Sequence, residues 1–87
     1  MNIPDEILVE MAYVKMSTQR TKVIKALDGN VLIPTEIAKE SNIITNHVSG
    51  TLKQLREHDL VECLNPEVRK GRLYRLTEKG EDVAKNI

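Results

Sequence analysis

The chain has 87 residues, 13 acids balanced by 13 Lys and Arg, and no aromatic residues beyond Tyr13 and Tyr74. That length holds one small core, which must be built from Ile, Leu, Val, Ala and Met. A single cysteine excludes an intramolecular disulfide framework, no stretch reaches the roughly 18 apolar residues of a membrane span, and residues 1–16 lack a secretory signal's basic start and apolar block. A soluble, cytoplasmic chain is expected.

Pro4, Asp5 and Glu6 open a first helix, because proline fits a first turn and acids there complement the helix dipole. Ile7, Leu8, Met11 and Val14 follow at helical spacing, so this helix is amphipathic. Its apolar face has two destinations, its own domain or a second copy of the chain. Ser17 can cap the next helix, residues 18–27, with Val23, Ile24 and Leu27 as the buried stripe. Asp28, Gly29 and Asn30 end it, since Gly and Asn tolerate the left-handed conformation. Val31 to Ile33 is a short apolar run, expected to be a brief strand that Pro34 stops.

A short third helix covers residues 35–41, its start uncertain by one residue. Pro34 at the first helical position puts the cap on Ile33, which has no capping group, whereas Thr35 as the cap leaves barely two turns. Asn42 supplies the αL-tolerant residue of a tight turn. Thr45 is the expected N-cap of a fourth helix ending near His58. At 100° per residue Val48, Leu52 and Leu55 share one side of that helix. The other side is centred on Asn46, Gly50, Lys53 and Glu57, flanked by Ser49 and Gln54. Residues 60–64 and 73–76 then read as two strands of a hairpin with a basic tip, and Thr77 caps a last helix with Val83, Ala84 and Ile87 inward.

The order is helix, helix, strand, helix, helix, strand, strand, helix: mostly α with a small β-hairpin wing. Three segments, PTEIAKESNI, TNHVSGTLKQLREHDLVE and NPEVRKGRLYRLTEKG, resemble the winged helix-turn-helix domain of archaeal transcriptional regulators related to the ArsR and MarR groups. The resemblance covers residues 17–85 and implies a fold in which the fourth helix is the recognition helix. Residues 1–16 lie outside it and are expected to be an N-terminal helix that helps dimerisation; residues 17–87 form the DNA-binding domain.

Double-stranded DNA is the expected partner. Short polar side chains on a helix suit the major groove, where Asn pairs with adenine and Lys reaches guanine or phosphate. Asn46, Ser49 and Lys53 are the foremost candidates, with Thr45 and Gln54 beside them. His47 is a phosphate or base contact, or an ordinary surface histidine. Gly50 costs about 1 kcal/mol in mid-helix, and close approach to a DNA backbone is one account of it, tolerated drift the other. Glu57 would repel phosphate and limits the contact to the helix's first half. Arg69, Lys70 and Arg72 place cations on the backbone or minor groove, while Arg75 can pair with Glu62 across the hairpin. Arg20, Lys22 and Lys25 are weaker phosphate candidates.

A homodimer is expected, because one small neutral domain releases few counterions. Its interface would use Ile7, Leu8, Met11, Val14 and Val83. His47, His58 and Cys63 lack the close spacing of a metal site, and Cys63 reads as a small buried hydrophobe. No Gly-rich phosphate loop, nucleophile elbow or carboxylate pair points to an enzyme or a cofactor. The rival from another class is a winged-helix module that docks on protein and reads no base; the neutral net charge and Glu57 speak for it.

Overall fold

The computed structural model describes residues 2–87. Five helices and one hairpin share a single core: α1 (Asp5–Lys15), α2 (Thr18–Leu27), α3 (Pro34–Ser41), α4 (Thr45–Glu57), β1 (Val61–Cys63), β2 (Tyr74–Leu76) and α5 (Glu78–Lys85). Val23, Ile24 and Leu27 of α2 lie at its centre, against Ile37 of α3 and Val48, Leu52 and Leu55 of α4, all nearly without exposure. The expected stripes of α2 and α4 are therefore the buried ones, and Thr51 joins the latter.

Local chemistry sets the boundaries. Ser17 caps α2 by accepting from the Arg20 N–H at 3.2 Å, and Thr77 caps α5 by accepting from the Gly80 N–H at 3.0 Å. Pro34 takes the first position of α3, and the Glu36 carboxylate accepts the Ile33 N–H at 3.0 Å in place of a side-chain cap. Asn42 adopts the left-handed conformation, φ 57°, at the turn. Thr45 is not the N-cap of α4. The cap is Ile44, whose carbonyl already accepts from His47 and Val48, so Thr45 is the first helical residue. The run at 31–33 is not a strand either; only Leu32 bridges, exchanging backbone bonds of 3.0 and 2.8 Å with Tyr74, because Pro34 has no N–H to extend the ladder.

The hairpin pairs Val61 with Leu76, Glu62 with Arg75 and Cys63 with Tyr74. Arg75 Nε donates to Glu62 at 2.8 Å, as the sequence led us to expect. Tyr74 is buried and ties the hairpin to both Cys63 and Leu32, which anchors the wing on the helical core. Cys63 is half-buried, its thiol 3.7 Å from Asn65 Oδ1.

α1 turns Ile7, Met11 and Val14 into the common core and packs across α2 and α5. Leu8, expected on that face, points outward with Val9 and Met16. Ile7, Val14 and Val83 are buried within the chain itself, so they cannot carry the contact with a second copy proposed for them. In place of Leu8 the inward side holds Glu10, only 5% exposed. Its carboxylate accepts from His58 Nδ1 at 2.8 Å and from the Lys79 ammonium at 3.0 Å, and Lys79 also reaches Glu6 at 3.3 Å. One acid thus joins α1, the end of α4 and α5.

Burial raises the Glu10 carboxyl, and the bonds from His58 and Lys79 with their charges outweigh it, so the group sits below the ordinary carboxylate range. The bond to Glu10 raises the Lys79 ammonium above its ordinary value. Glu10's contribution is therefore full above the ordinary carboxylate range and lost as pH falls through the lowered native value. That of Lys79 is full below the ordinary lysine value and lost as pH rises through the raised one. Glu10→Gln should cost about 1–2 kcal/mol near neutrality and flatten both limbs of the stability profile, as measured by urea unfolding across pH.

Gly80 gives a second prediction. A Cβ there would collide with the Leu60 carbonyl oxygen and lie 3.3 Å from Leu76 Cβ, because α5 crosses the chain closely at that point. Gly80→Ala should destabilise by about 3 kcal/mol. Gly50 has open space around its Cβ position, so Gly50→Ala should instead stabilise by about 0.5–1 kcal/mol in the same unfolding assay.

Candidate nucleic-acid interface

The buried stripe of α4 fixes its rotation, so Thr45, Asn46, His47, Ser49, Gly50, Lys53 and Gln54 are all exposed. They divide into three groups. Ser49 and Lys53 look across a groove of about 900 Å3 toward the wing. Thr45, Asn46 and Gly50 lie outside that groove on the free surface of the helix. His47 and Gln54, two turns apart, lean against α2. Gln19 Nε2 lies 3.0 Å from His47 Nδ1, and Arg20 Nε donates to Gln54 Oε1 at 3.1 Å.

The wing owes its shape to its own polar groups. Asn65 Oδ1 accepts the Leu73 N–H at 2.7 Å and Asn65 Nδ2 donates to the Gly71 carbonyl at 3.2 Å. Gly71 turns the tip with φ 72°, a value that favours glycine. Arg72 folds back, donating to Val68 O at 2.6 Å and Pro66 O at 3.1 Å, so it braces the loop while half-buried. Arg69 and Lys70 stay exposed at the tip.

Between α4, the start of α3 and the wing, the groove has an apolar floor of Ile33, Pro34, Leu52 and Tyr74. Its rim carries Lys53, Arg56, Arg69, Lys70 and Arg72 against one acid, Glu57. Among the described residues none of these five cations is ion-paired. The neutral net charge therefore conceals a strongly positive face, with acids such as Glu6, Glu10 and Glu62 engaged elsewhere.

Reading the sequence missed Arg56, whose place on the rim follows from its position three residues after Lys53 on the same helix. It also missed Ile44, 65% exposed at the leading end of α4. Of the weaker candidates, Arg20 is committed within the chain. Its guanidinium lies 3.9 Å from the Tyr13 ring centroid and donates to the Tyr13 carbonyl at 2.9 Å. Among the described residues no three His, Cys, Asp or Glu side chains gather in a metal-binding group, and no helix is long and apolar enough to cross a membrane.

No protein-family model matches the chain, and no curated protein sequence matches it. Solved structures do. A mutant of Lactococcus lactis ZitR is 30% identical with a TM-score of 0.65, over 78% of this chain and 47% of that one. The MarR family transcriptional regulator SPO1453 from Silicibacter pomeroyi is 19% identical with a TM-score of 0.68, over 93% and 60%. NadR, solved with 4-hydroxyphenylacetate, is 22% identical with a TM-score of 0.67, over 93% and 62%. This chain spans about half to three fifths of the length of these neighbours. None of them speaks to the archaeal or ArsR side of the resemblance, and the MarR side is where the fold agrees. The architecture of this chain is the winged helix-turn-helix of MarR-type regulators.

Proposed function

We propose that this chain is a duplex-DNA-binding transcriptional regulator, with α4 in the major groove and the wing on the adjoining backbone or minor groove. The observation that carries this reading is the pairing of two surfaces across one groove. The free face of α4 offers small polar side chains at Thr45, Asn46 and Ser49 with bare backbone at Gly50, and the rim beside it holds five cations that, among the described residues, form no ion pair. A helix with short side chains enters the major groove closely, and phosphates are neutralised by cations on either side of it. Asn46, Ser49 and Lys53 would meet base edges, and Ile44 could pack on a thymine methyl. Arg56, Arg69 and Lys70 would meet phosphates, while Arg72 keeps the wing in the shape that presents them. Gly50 lets the helix approach, since nothing within the chain demands a glycine there.

The same reading has the chain act as a homodimer. Leu8, Val9 and Met16 form an outward apolar strip along α1, continuous with exposed Ala12. A second copy pairing on that strip would place two recognition helices on one duplex and double the phosphate contacts. The protein-docking alternative is favoured by Glu57, which stands on the groove rim where phosphate would pass.

Salt separates the two readings. Binding to random duplex should be measurable at low salt and fall with a log–log slope of about −3 per protomer as the three phosphates met by Arg56, Arg69 and Lys70 release counterions. No detectable binding at low salt, or no salt dependence, would leave the docking alternative. Lys53→Ala should weaken a selected site by about 10-fold more than random duplex. Arg69→Ala combined with Lys70→Ala should weaken both alike and reduce the slope by about 2. Both are read by fluorescence anisotropy over a salt series.

A further inference from the structure

A line of contacts runs from α1 to the reading face of α4. Tyr13 stacks on His58, ring centroids 3.6 Å apart and planes 9° from parallel. The Arg20 guanidinium lies 3.9 Å from the same Tyr13 centroid, and two groups that close to one ring must occupy its opposite faces. Arg20 also donates to the Tyr13 carbonyl at 2.9 Å, which leaves its Nε aimed at Gln54. The guanidinium is planar and its donors are fixed in direction, so a ring and a carbonyl that hold it also dictate where Nε points.

We propose that Arg20 is a positioning residue for base recognition: anchored by Tyr13, it holds Gln54 by its amide oxygen so that the amide NH2 is presented to DNA. The inference rests on the DNA-binding reading above and makes it more specific. A free glutamine offers both an acceptor and a donor and can pair bidentately with adenine. With Oε1 engaged by Arg20, Gln54 presents a donor. Its partners are then acceptors: guanine O6 or N7, adenine N7, thymine O4 or a phosphate oxygen. Cytosine, which presents its N4 amino donor in the major groove, is disfavoured at that base. Because Tyr13 sits on α1, the outward strip of that helix is mechanically linked to one reading side chain through two contacts.

The test is a double-mutant cycle on DNA discrimination. Duplexes are first selected by the unmodified chain from a random library. The ratio of selected-site to random-duplex affinity is then measured for the unmodified chain, Arg20→Met, Gln54→Leu and the double variant. Each single variant should lose about 5- to 10-fold of that ratio, and the double variant no more than either alone. Tyr13→Phe, which keeps the ring and the carbonyl, should retain the ratio, whereas Tyr13→Leu should lose it. Gln54→Glu should relax or invert the bias against cytosine. Losses that multiply in the double variant would overturn the inference. So would equal losses on both duplexes for Arg20→Met with a salt slope smaller by about 1, which would mark a plain phosphate contact. Failure of the unmodified chain to bind any duplex is a distinct result, overturning the DNA-binding reading and this inference together. In the DNA-free protein, the Arg20 Nε–H resonance should be visible and should shift in Gln54→Leu; a resonance indifferent to that change would also overturn the inference.

Discussion

The rotation of α4 about its own axis is the constraint on which the rest of the structure depends. Val48, Thr51, Leu52 and Leu55 are buried against α2, α3 and the hairpin, and a helix held along such a stripe has no freedom to turn. The opposite face is thereby assigned to solvent. Neighbouring elements then complete the surface. Tyr74 is hydrogen-bonded to Leu32 on one side and paired with Cys63 on the other, so the wing springs from a fixed point beside α4. Asn65 and Arg72 stiffen the wing from within. The separation between Lys53 on the helix and Arg69 and Lys70 on the wing is consequently a property of the aliphatic core.

The polar contacts add direction to that scaffold. Glu10 is nearly buried, yet it is matched by His58 and Lys79, and a buried acid with two partners specifies one arrangement of α1, α4 and α5 over others of similar apolar burial. His58 then serves two contacts at once, the Glu10 carboxylate at its edge and the Tyr13 ring on its face. Through Arg20 the same line reaches Gln54. A small helical domain without Trp or Phe thus uses Glu10, His58, Tyr13 and Arg20 to link α1 with α4.

Much of this was legible in the sequence wherever the cause was local. Ser17 and Thr77 as caps, Asn42 in a left-handed turn, the stripes of α2 and α4 and the Glu62 to Arg75 pair all follow from spacing or from residue type. The exposed positions on α4 and the cations of the wing tip were legible for the same reason. The failures were of another kind. Leu8 and Glu10 exchanged places because the inward side of α1 is decided by the helices it crosses, and a carboxylate is admitted only where Lys79 and His58 are already waiting. Gly80 looked like one glycine among four, and its need for a bare backbone arises from Leu60, twenty residues earlier. Arg20 looked like a surface base because its partners, Tyr13 and Gln54, lie on two other helices. Thr45 looked like a cap, and lost the role when the turn brought the Ile44 carbonyl into the first helical bonds.

The central claim is that DNA meets the free face of α4 and the wing together. Amide chemical-shift mapping of the isotope-labelled chain with a short selected duplex tests it most directly. The account predicts shifts concentrated in Ile44 to Gln54 and in Arg69 to Gly71, with the amides of α5 unmoved. Shifts confined to α1 or α5, or an α4 face left unperturbed at saturating duplex, would contradict it.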